Sequence, residues 1–417
     1  MERALSGEKI VNPTKGGTMP KCVYCNNDDF IIMVDMPNYK FLLYTSETDS
    51  MWIRFPLLIG CCTQCGITTL LKLPDKELLN RIYGKDYKSY PSCTPLEETE
   101  QRIQEFLSAF SDFPSHGSIC SILEIGSYDG RLLNALKKRG LQVLGCDPNS
   151  SAAAHAKIAY GIDTVQEYFR PNLFENAQFD LVLSRLLLEH VLEPQILWVE
   201  LNRVVKIRGQ MVHEVPNSHY MLEIGLPFFL PEHTTFFTPD SFVRLIESAG
   251  YEVDELQATS AFLRIIAIKI READCLSLGL EDKQDSIARD LAIALQYAKR
   301  FNEQMEQVDA YLKEMRTKQV RMVVYGTGYF FANLVNFTSL DLGEIAFACD
   351  SNVAKWGIMV PGLKDPVQPP DQIRHPDIGL VIIATQAYQK VLSRLKSYLD
   401  AGGNALYFAP QPTLFHP

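Results

Sequence analysis

Apolar runs bounded by glycine or proline recur along the chain, and their spacing predicts strands alternating with helices. "SICSILEIGSYDGRLLNALKKRG" reads as a buried strand, a glycine turn and a helix whose apolar positions are Leu132, Leu133 and Leu136. About twenty residues on, "LQVLGCDPNSSAAAHAKI" predicts a second strand ending in Asp147, then another helix. "FDLVLSRLLLEHVLEP" continues as a strand from Asp180 into a loop and helix. "LWVELNRVVKIRGQMVHEVPN" is a helix, a turn at Gly209 and a strand ending at Glu214. Thr238-Pro239 opens a further helix, and "FLRIIAIKI" is a further strand. Between Ile287 and Met315, apolar residues stand at 287, 291, 294, 298, 301, 305, 308, 312 and 315. These alternating steps of four and three make a seam on a helix of about 45 Å. It is expected to pack along a neighbouring domain, with self-association as the alternative. "QVRMVVYGTGYFFANLV" repeats strand, glycine turn and helix, and "EIAFACD" ends at Asp350. "GLVIIATQAYQKVLSRL" and "NALYFAP" complete a small parallel sheet. The pattern is α/β throughout.

The N-terminal part differs. Three β-rich runs, "FIIMVDM", "YKFLLYT" and "WIRFPLLIG", lie between "KCVYC" and "CCTQC". Two CxxC pairs in a chain without a secretion signal read as a zinc site rather than as disulfides. Cys22, Cys25, Cys62 and Cys65 are the expected ligands of a closed, structural Zn2+ site, with Cys61 as a substitute for Cys62. Cys93, Cys120, Cys146, Cys275 and Cys349 are scattered and read as packing residues.

Composition narrows the classes. A chain of 417 residues with 47% apolar and 22% charged residues is ordinary globular usage, and two or three domains are expected. A net charge of −10 argues against a nucleic-acid partner. No apolar run approaches the roughly 20 residues of a membrane span, and the N-terminus lacks a signal-peptide core. The expected location is cytoplasmic.

Strand, glycine loop, helix, strand and acid together form the nucleotide-binding half of a doubly wound sheet. The loop reads GxxxG from Gly126 to Gly130, not the GxGxxG that cradles a pyrophosphate. With Glu124 before it, this is the loop form used for S-adenosylmethionine. The expected cofactor residues are Glu124, Gly126, Ser127, Gly130, Asp147, Pro148 and Ser184. Glu214 and Asn217, near a strand end, are expected to face a substrate. Gly326-x-Gly328 ahead of Asp350 is a weaker dinucleotide signal, because Phe331 holds the place of the third glycine. One stretch stands out: "FFLPEHTTFF", residues 228–237, sets Glu232 and His233 among aromatic residues. Charged groups there need a partner or a task. A loop accident, a buried ion pair and acid–base chemistry are all open on the residues alone. His190, in "LEHVLEP", reads as structural, orienting its loop.

The cysteine knuckles, "LEIGSYDGRLL", "CDPNSSAA", "EHV", "GQMVHEVPN" and "EHTTFFT" stand in an order that resembles the sugar C-methyltransferases of deoxysugar pathways. The likeness covers nearly all of the chain after about residue 20. It implies a class I, Rossmann-like methyltransferase domain with a small N-terminal zinc-binding domain and a C-terminal Rossmann-like α/β domain. The expected divisions are an extension at 1–20, a zinc-binding domain at 21–95 and a methyltransferase domain at 96–275. A connecting helix at 280–318 and a C-terminal domain at 319–417 follow. The resemblance implies methylation of a 4-keto sugar nucleotide on the carbon beside the ketone. His233 inherits the role of base, with Glu232 orienting the ring or contacting the sugar. Tyr87 is the counterpart of a family tyrosine that reaches the sugar, with Tyr90 as the fallback. The turn at Tyr325 and Gly326 would face the nucleotide half of the substrate. The chain departs from the family at Tyr128, which replaces asparagine, and at Leu230, which replaces a tyrosine. The lysine that usually follows the Tyr-Gly turn is also absent.

Two other activities fit the same domains. An O- or N-methyltransferase would need no ketone, and Leu230 in place of tyrosine favours it. A non-catalytic nucleotide-sugar-binding protein would not need Glu124, Gly126, Gly130 and Asp147 together.

Overall fold

The computed structural model describes residues 20–46, 48–74, 77–78, 96–108, 121–225, 230, 232–276, 278–374, 376–408 and 412–415. Tyr87, Tyr90, Cys93 and Cys120 lie outside these residues. Three sheets organise the chain.

The first is antiparallel, in the order β1 (Phe30–Tyr44), β2 (Ser50–Cys62), β3 (Thr68–Leu70) and β9 (Thr235–Phe236). The three β-rich runs between the cysteines therefore fold into one long hairpin, β1 against β2, bent by irregularities between Ile32/Val34 and Met36/Tyr39. Its last member, β9, comes from far along the sequence and is the "HTTFF" stretch: Thr68 pairs with Phe236 and Thr69 with Thr235.

The second sheet has seven strands. They are β4 (Ser121–Ile125), β5 (Gln142–Cys146), β6 (Thr164–Val165), β7 (Phe179–Arg185), β8 (Val205–Pro216), β10 (Tyr251–Ala258) and β11 (Phe262–Lys269), in the order β10-β11-β8-β7-β4-β5-β6. All the pairings from β8 to β6 are parallel, and β11 is inserted antiparallel between β8 and β10. Successive strand residues point to opposite faces, and the core divides accordingly. Ile122, Leu181, Leu183 and Val212 pack with residues of α1 (Leu96–Ser108), α2 (Arg131–Lys137) and α3 (Ser150–Tyr160). Leu123, Val182, Met211 and Val215 pack with α4 (Pro194–Val204) and α6 (Pro239–Ser248). Between them, α5 (Ser218–Glu223) follows β8. The helix expected at Thr238-Pro239 is α6, where Thr238 and Ser241 form a reciprocal cap.

The third sheet runs β13 (Ile345–Cys349), β12 (Met322–Tyr325), β14 (Leu380–Ile383) and β15 (Asn404–Tyr407), all parallel. The expected parallel sheet gains an antiparallel edge, β16 (Thr413–Phe415). The seam helix is α7 (Gln284–Thr317), of 34 residues. Ile287, Ala294, Phe301, Met305, Val308, Leu312 and Met315 are buried as the spacing predicts, but Tyr297 is buried where Ala298 was expected. The exchange is local, since the positions after Tyr297 keep the predicted register. The remaining helices of the third unit are α8 (Tyr329–Phe337), α9 (Tyr388–Arg394) and α10 (Lys396–Asp400). Among the described residues no helix is long and apolar enough to cross a membrane.

The hydrophobic cores do not follow the sheets one to one. The β1–β2 hairpin shares a core with α7 and the third sheet, through residues such as Tyr39, Phe55, Phe301 and Phe331. The Tyr39 hydroxyl donates to Asn333 Oδ1 at 2.9 Å, and the Asn336 side chain both accepts from Lys40 N and donates to Lys40 O, each at 2.7 Å. At the other end of the hairpin, Cys22, Tyr24, Phe30 and Ile67 join the core of the second sheet beside α6. A fully buried ion pair, Arg244 with Asp290, ties α6 to α7. Arg244 also donates to the carbonyl of Cys65 at 3.0 Å.

Candidate functional site

The strand ends of the second sheet carry the predicted cofactor residues. Gly126 (φ 73°) and Gly130 (φ 75°) are both left-handed, a conformation open to glycine. A Cβ on Gly130 would lie 2.8 Å from Ala156 Cβ, so the turn also lets α2 and α3 approach closely. Asp147 is buried and accepts from Tyr128 N at 2.9 Å and Asn149 N at 2.8 Å. Glu124 Oε2 and Ser127 Oγ are buried without hydrogen-bond partners. Two orphaned polar atoms beside an open glycine turn fit a ligand with amine and hydroxyl groups to satisfy them. Burial pushes the Glu124 carboxyl up to about 8, and the guanidinium of Arg185, 4.0 Å away, opposes the shift. Ser184 lies elsewhere. It is fully buried on the opposite face, with its hydroxyl 2.7 Å from His213 Nδ1.

Beyond β7 the chain turns over the glycine loop. Leu187 approaches to 3.4 Å of where a Gly126 Cβ would stand, and Glu189 and His190 follow in a 3-10 turn, Leu188–His190. The "EHTT" stretch docks on this turn: Thr234 N and Thr234 Oγ1 both donate to the Glu189 carbonyl, at 2.6 and 3.1 Å. Two Glu-His dipeptides are thus brought together. The rings of His190 and His233 meet edge to face with centroids 4.8 Å apart. His190 Nδ1 lies 3.1 Å from the Glu232 carbonyl oxygen, which can only accept, so Nδ1 carries the hydrogen and Nε2 the lone pair. That Nε2 faces Glu189 Oε1 at 3.7 Å. Glu189 is 2% exposed and Glu232 is 9% exposed; each has one buried oxygen, Oε2, without a partner. Burial pushes Glu189 up to about 8 and Glu232 up to about 7. Both imidazoles keep some contact with solvent, yet protein surrounds them enough to hold them neutral. Burial takes His190 down to about 4, and burial followed by the neighbouring His190 takes His233 well below its usual value.

The four-cysteine cluster lies behind this segment. The sulfur atoms of Cys22, Cys25, Cys62 and Cys65 all lie within 4.8 Å of one another. Cys22 and Cys65 are 3.7 Å apart, and Cys25 and Cys62 are 3.5 Å apart. Thiolates about 2.3 Å from a tetrahedral Zn2+ stand about 3.8 Å apart, so the set fits that ion. Asn27 Nδ2 donates to Cys62 Sγ at 3.5 Å, a contact suited to a thiolate. Cys61, the alternative ligand, is excluded from the group. As the neighbour of Cys62 on β2 it points to the other face, packs with Leu57 and Ile59, and has its thiol pushed up to about 12 by burial. Tyr24, between the first two cysteines, reaches Thr235 Oγ1 at 2.8 Å, and Leu70 N donates to the Thr234 carbonyl at 3.0 Å. The knuckles and the Glu232–His233 segment are therefore one assembly.

Other predicted residues lie apart from these groups. Glu214 is paired with Arg264, at 2.7 and 3.1 Å, on the face covered by α1. Asn217 caps α5, accepting from His219 N, and donates to the Thr259 carbonyl at 2.6 Å. In the third sheet Tyr325 is buried, its hydroxyl 2.8 Å from Ser351 Oγ, and Gly326 has φ 102° against the Ala384 carbonyl. Asp350 meets Thr327 N and Lys355 Nζ, each at 2.9 Å. Burial would raise this carboxyl, but Lys355 and the backbone donors hold it below its usual value. The Lys355 ammonium on it sets this acid apart from Asp147, whose oxygens meet only backbone donors. Sequence reasoning missed Glu189 and set His190 aside. The signal available was the Glu-His dipeptide, which occurs twice, each time after an apolar or proline residue.

Comparison with known proteins agrees with this layout. The family profile "Methyltransferase domain" matches residues 96–256, and "C-methyltransferase C-terminal domain" matches residues 272–410. The chain is 22% identical to C-methyltransferase NovU of Streptomyces niveus, over 97% of this chain and 98% of that protein. A ubiquinone biosynthesis O-methyltransferase of Aeromonas salmonicida is 27% identical over 32% of this chain and 64% of its own length. Among solved structures, a SAM-dependent methyltransferase from Methanosarcina mazei covers 39% of this chain and 98% of its own, at 18% identity and a TM-score of 0.33. A score of that size carries no weight here. The two profiles in series and the full-length relative do: this chain is an S-adenosylmethionine-dependent methyltransferase of the class I fold, similar over nearly its whole length to a C-methyltransferase.

Proposed function

We propose that the protein methylates a 4-keto-deoxysugar nucleotide on the carbon beside the ketone, with His233 as the base. Carbon becomes nucleophilic only when a proton leaves it, so a base that is free near neutral pH is required. The observation that carries the reading is the His233 ring: neutral, sheltered and packed on His190 in the turn after β7, whose Leu187 approaches Gly126. S-adenosylmethionine, when bound, supplies an electrophilic methyl group. Glu124, Ser127, Gly126, Gly130 and Asp147, with Pro148 beside it, would hold that cofactor. Glu232, buried with one free oxygen, would orient the base or contact the sugar, and Tyr87 would reach the sugar from the N-terminal side. Asn217, Tyr325 and Gly326 line the units expected to enclose the nucleotide. We also assign Zn2+ to the four cysteines as a structural ion. The domains proposed are 21–95, 96–275 and 319–417, joined by the helix at 280–318. A cysteine set arranged for a metal accords with a cytoplasmic protein.

The test is solvent exchange. In D2O without S-adenosylmethionine, the wild-type protein is expected to wash deuterium into a thymidine-diphosphate 4-keto-6-deoxyhexose. His233→Ala should lower both exchange and methyl transfer by about 100-fold or more while S-adenosylmethionine still binds. Methyl transfer without exchange would favour an oxygen or nitrogen acceptor, and normal turnover by His233→Ala would end the assignment of the base.

A further inference from the structure

Across four neighbouring strands the second sheet carries a row of alternating charge: Glu124 on β4, Arg185 on β7, Glu214 on β8 and Arg264 on β11. The registers put all four on one face. Glu124 pairs with Leu183, Arg185 stands two residues further on, and Glu214 is opposite both Arg185 and Arg264. We propose that Arg185 receives the carboxylate at the methionine end of S-adenosylmethionine, while Glu124 beside it receives the ammonium group. This rests on the placement of that cofactor at the Gly126 turn, proposed above.

The two halves of the row differ. In the outer half Arg264 gives two hydrogen bonds to Glu214 Oε2, at 2.7 and 3.1 Å. Its remaining nitrogen reaches the Glu105 carbonyl and Gln257 Oε1, each at 3.2 Å. The inner half stays open. Arg185 Nε stands 4.0 Å from Glu124 Oε1, too far for a hydrogen bond, although Glu124 is buried and Arg185 half-buried. Arg185 Nε and Glu124 Oε2 are each buried without a partner. A donor and an acceptor left unsatisfied side by side are costly unless a ligand occupies both.

The open pair matches an α-amino acid. Ammonium and carboxylate hang there on one carbon, so a partner acid and a partner base must stand side by side, as Glu124 and Arg185 do. A lone anion such as phosphate satisfies only the guanidinium and leaves Glu124 Oε2 without a donor. The guanidinium is a planar fork suited to a carboxylate. Its plane is backed by α1: Arg185 lies 5.4 Å from the centroid of the Phe106 ring, on which Arg264 also packs at 4.7 Å. Directly after Arg185 the chain leaves the sheet. Leu186 turns at φ 52°, its N–H held by the Glu214 carbonyl at 2.8 Å, and Leu187 then approaches Gly126. The open half of the row and the glycine turn are thus neighbours.

Calorimetry with two ligands tests the assignment. Arg185→Met keeps much of the aliphatic stem and loses the fork. Its affinity for S-adenosylmethionine should fall about 10- to 100-fold, the loss of hydrogen bonds between charged groups. Decarboxylated S-adenosylmethionine, which keeps the ammonium, ribose and adenine, should bind the wild-type protein weakly by a similar factor, and Arg185→Met no more weakly still. Arg185→Lys, with the charge but not the fork, should lie between, and it carries the comparison should circular dichroism show the methionine variant unfolded. Equal losses for both ligands would mean that Arg185 acts on the turn and not on the carboxylate, and would overturn the proposal. Unchanged S-adenosylmethionine affinity in Arg185→Met overturns it as well, and a raised KM for the sugar nucleotide in that variant would assign Arg185 to a substrate phosphate. Asp147→Ala separates this failure from a wider one. If it weakens the cofactor and Arg185→Met does not, Arg185 alone is reassigned; if neither does, the cofactor does not sit at the glycine turn.

Discussion

Asp147 shows how one carboxylate braces the local backbone at a site proposed to hold a ligand. Its two oxygens hold Tyr128 N and Asn149 N, so the glycine turn and the start of α3 are both fixed by it. Tyr128 sits at φ 43°, where a tyrosine is less at ease than an asparagine would be, and the turn needs that anchor. Asp147→Ala is expected to weaken S-adenosylmethionine binding about 10- to 100-fold, the loss of one to two hydrogen bonds to a charged group. Calorimetry checks the affinity, and cofactor-free deuterium exchange should remain near wild type. Loss of exchange together with binding would mean that the turn also builds the proton-transfer site. Asp147 was legible because a strand end followed by an acid is a local signal. Glu189 was not, because its meaning depends on His233, which α4, β8 and α5 separate from it in the chain.

At the scale of elements, the smallest strand has the largest consequence. Thr235 and Phe236 form only two residues of β9, yet through them the cysteine sheet grips the Glu232–His233 segment. A two-residue strand has no periodicity to detect, so the sequence could suggest the knuckles and the His233 segment but not their union. Cys62→Ser should lower bound zinc, read by metal analysis, and reduce deuterium exchange at least 10-fold while S-adenosylmethionine affinity holds. That magnitude follows from the sensitivity of proton transfer to small displacements of the base. Unchanged exchange in a zinc-free protein would show that β9 stays in place without the ion. The α7 seam was legible for the opposite reason. Its repeat runs over many turns, and the burial of Tyr297 in place of Ala298 escaped it.

For the whole molecule, cooperativity should follow cores rather than sheets. The tip of the β1–β2 hairpin is bonded to the third unit by Asn336, Asn333 and the Pro361 carbonyl, which accepts from Trp52 Nε1 at 2.8 Å. Asn336→Ala strands both polar groups of Lys40 and should cost about 1–3 kcal/mol for each one left unsatisfied. Amide hydrogen exchange is the measurement: protection should fall together in residues 39–57 and in β12–β14, with the β4–β8 amides little changed. Uniform loss over all three sheets would point to a single cooperative unit instead.

The sequence by itself determined what local physics can encode. Strand and helix alternation follows from where apolar side chains must point, the left-handed glycines at Gly126 and Gly130 follow from a turn that excludes Cβ atoms, and the four sulfurs follow from paired CxxC spacing. Only the tertiary structure decided which distant pieces meet. It added β9 to the cysteine sheet, set Glu189 and His190 against His233, turned Cys61 and Ser184 away, and closed Asp350 on Lys355. Those outcomes depend on side chains far apart in the chain sharing one buried space, where an unpaired polar group is costly and each contact is settled by what else fits beside it.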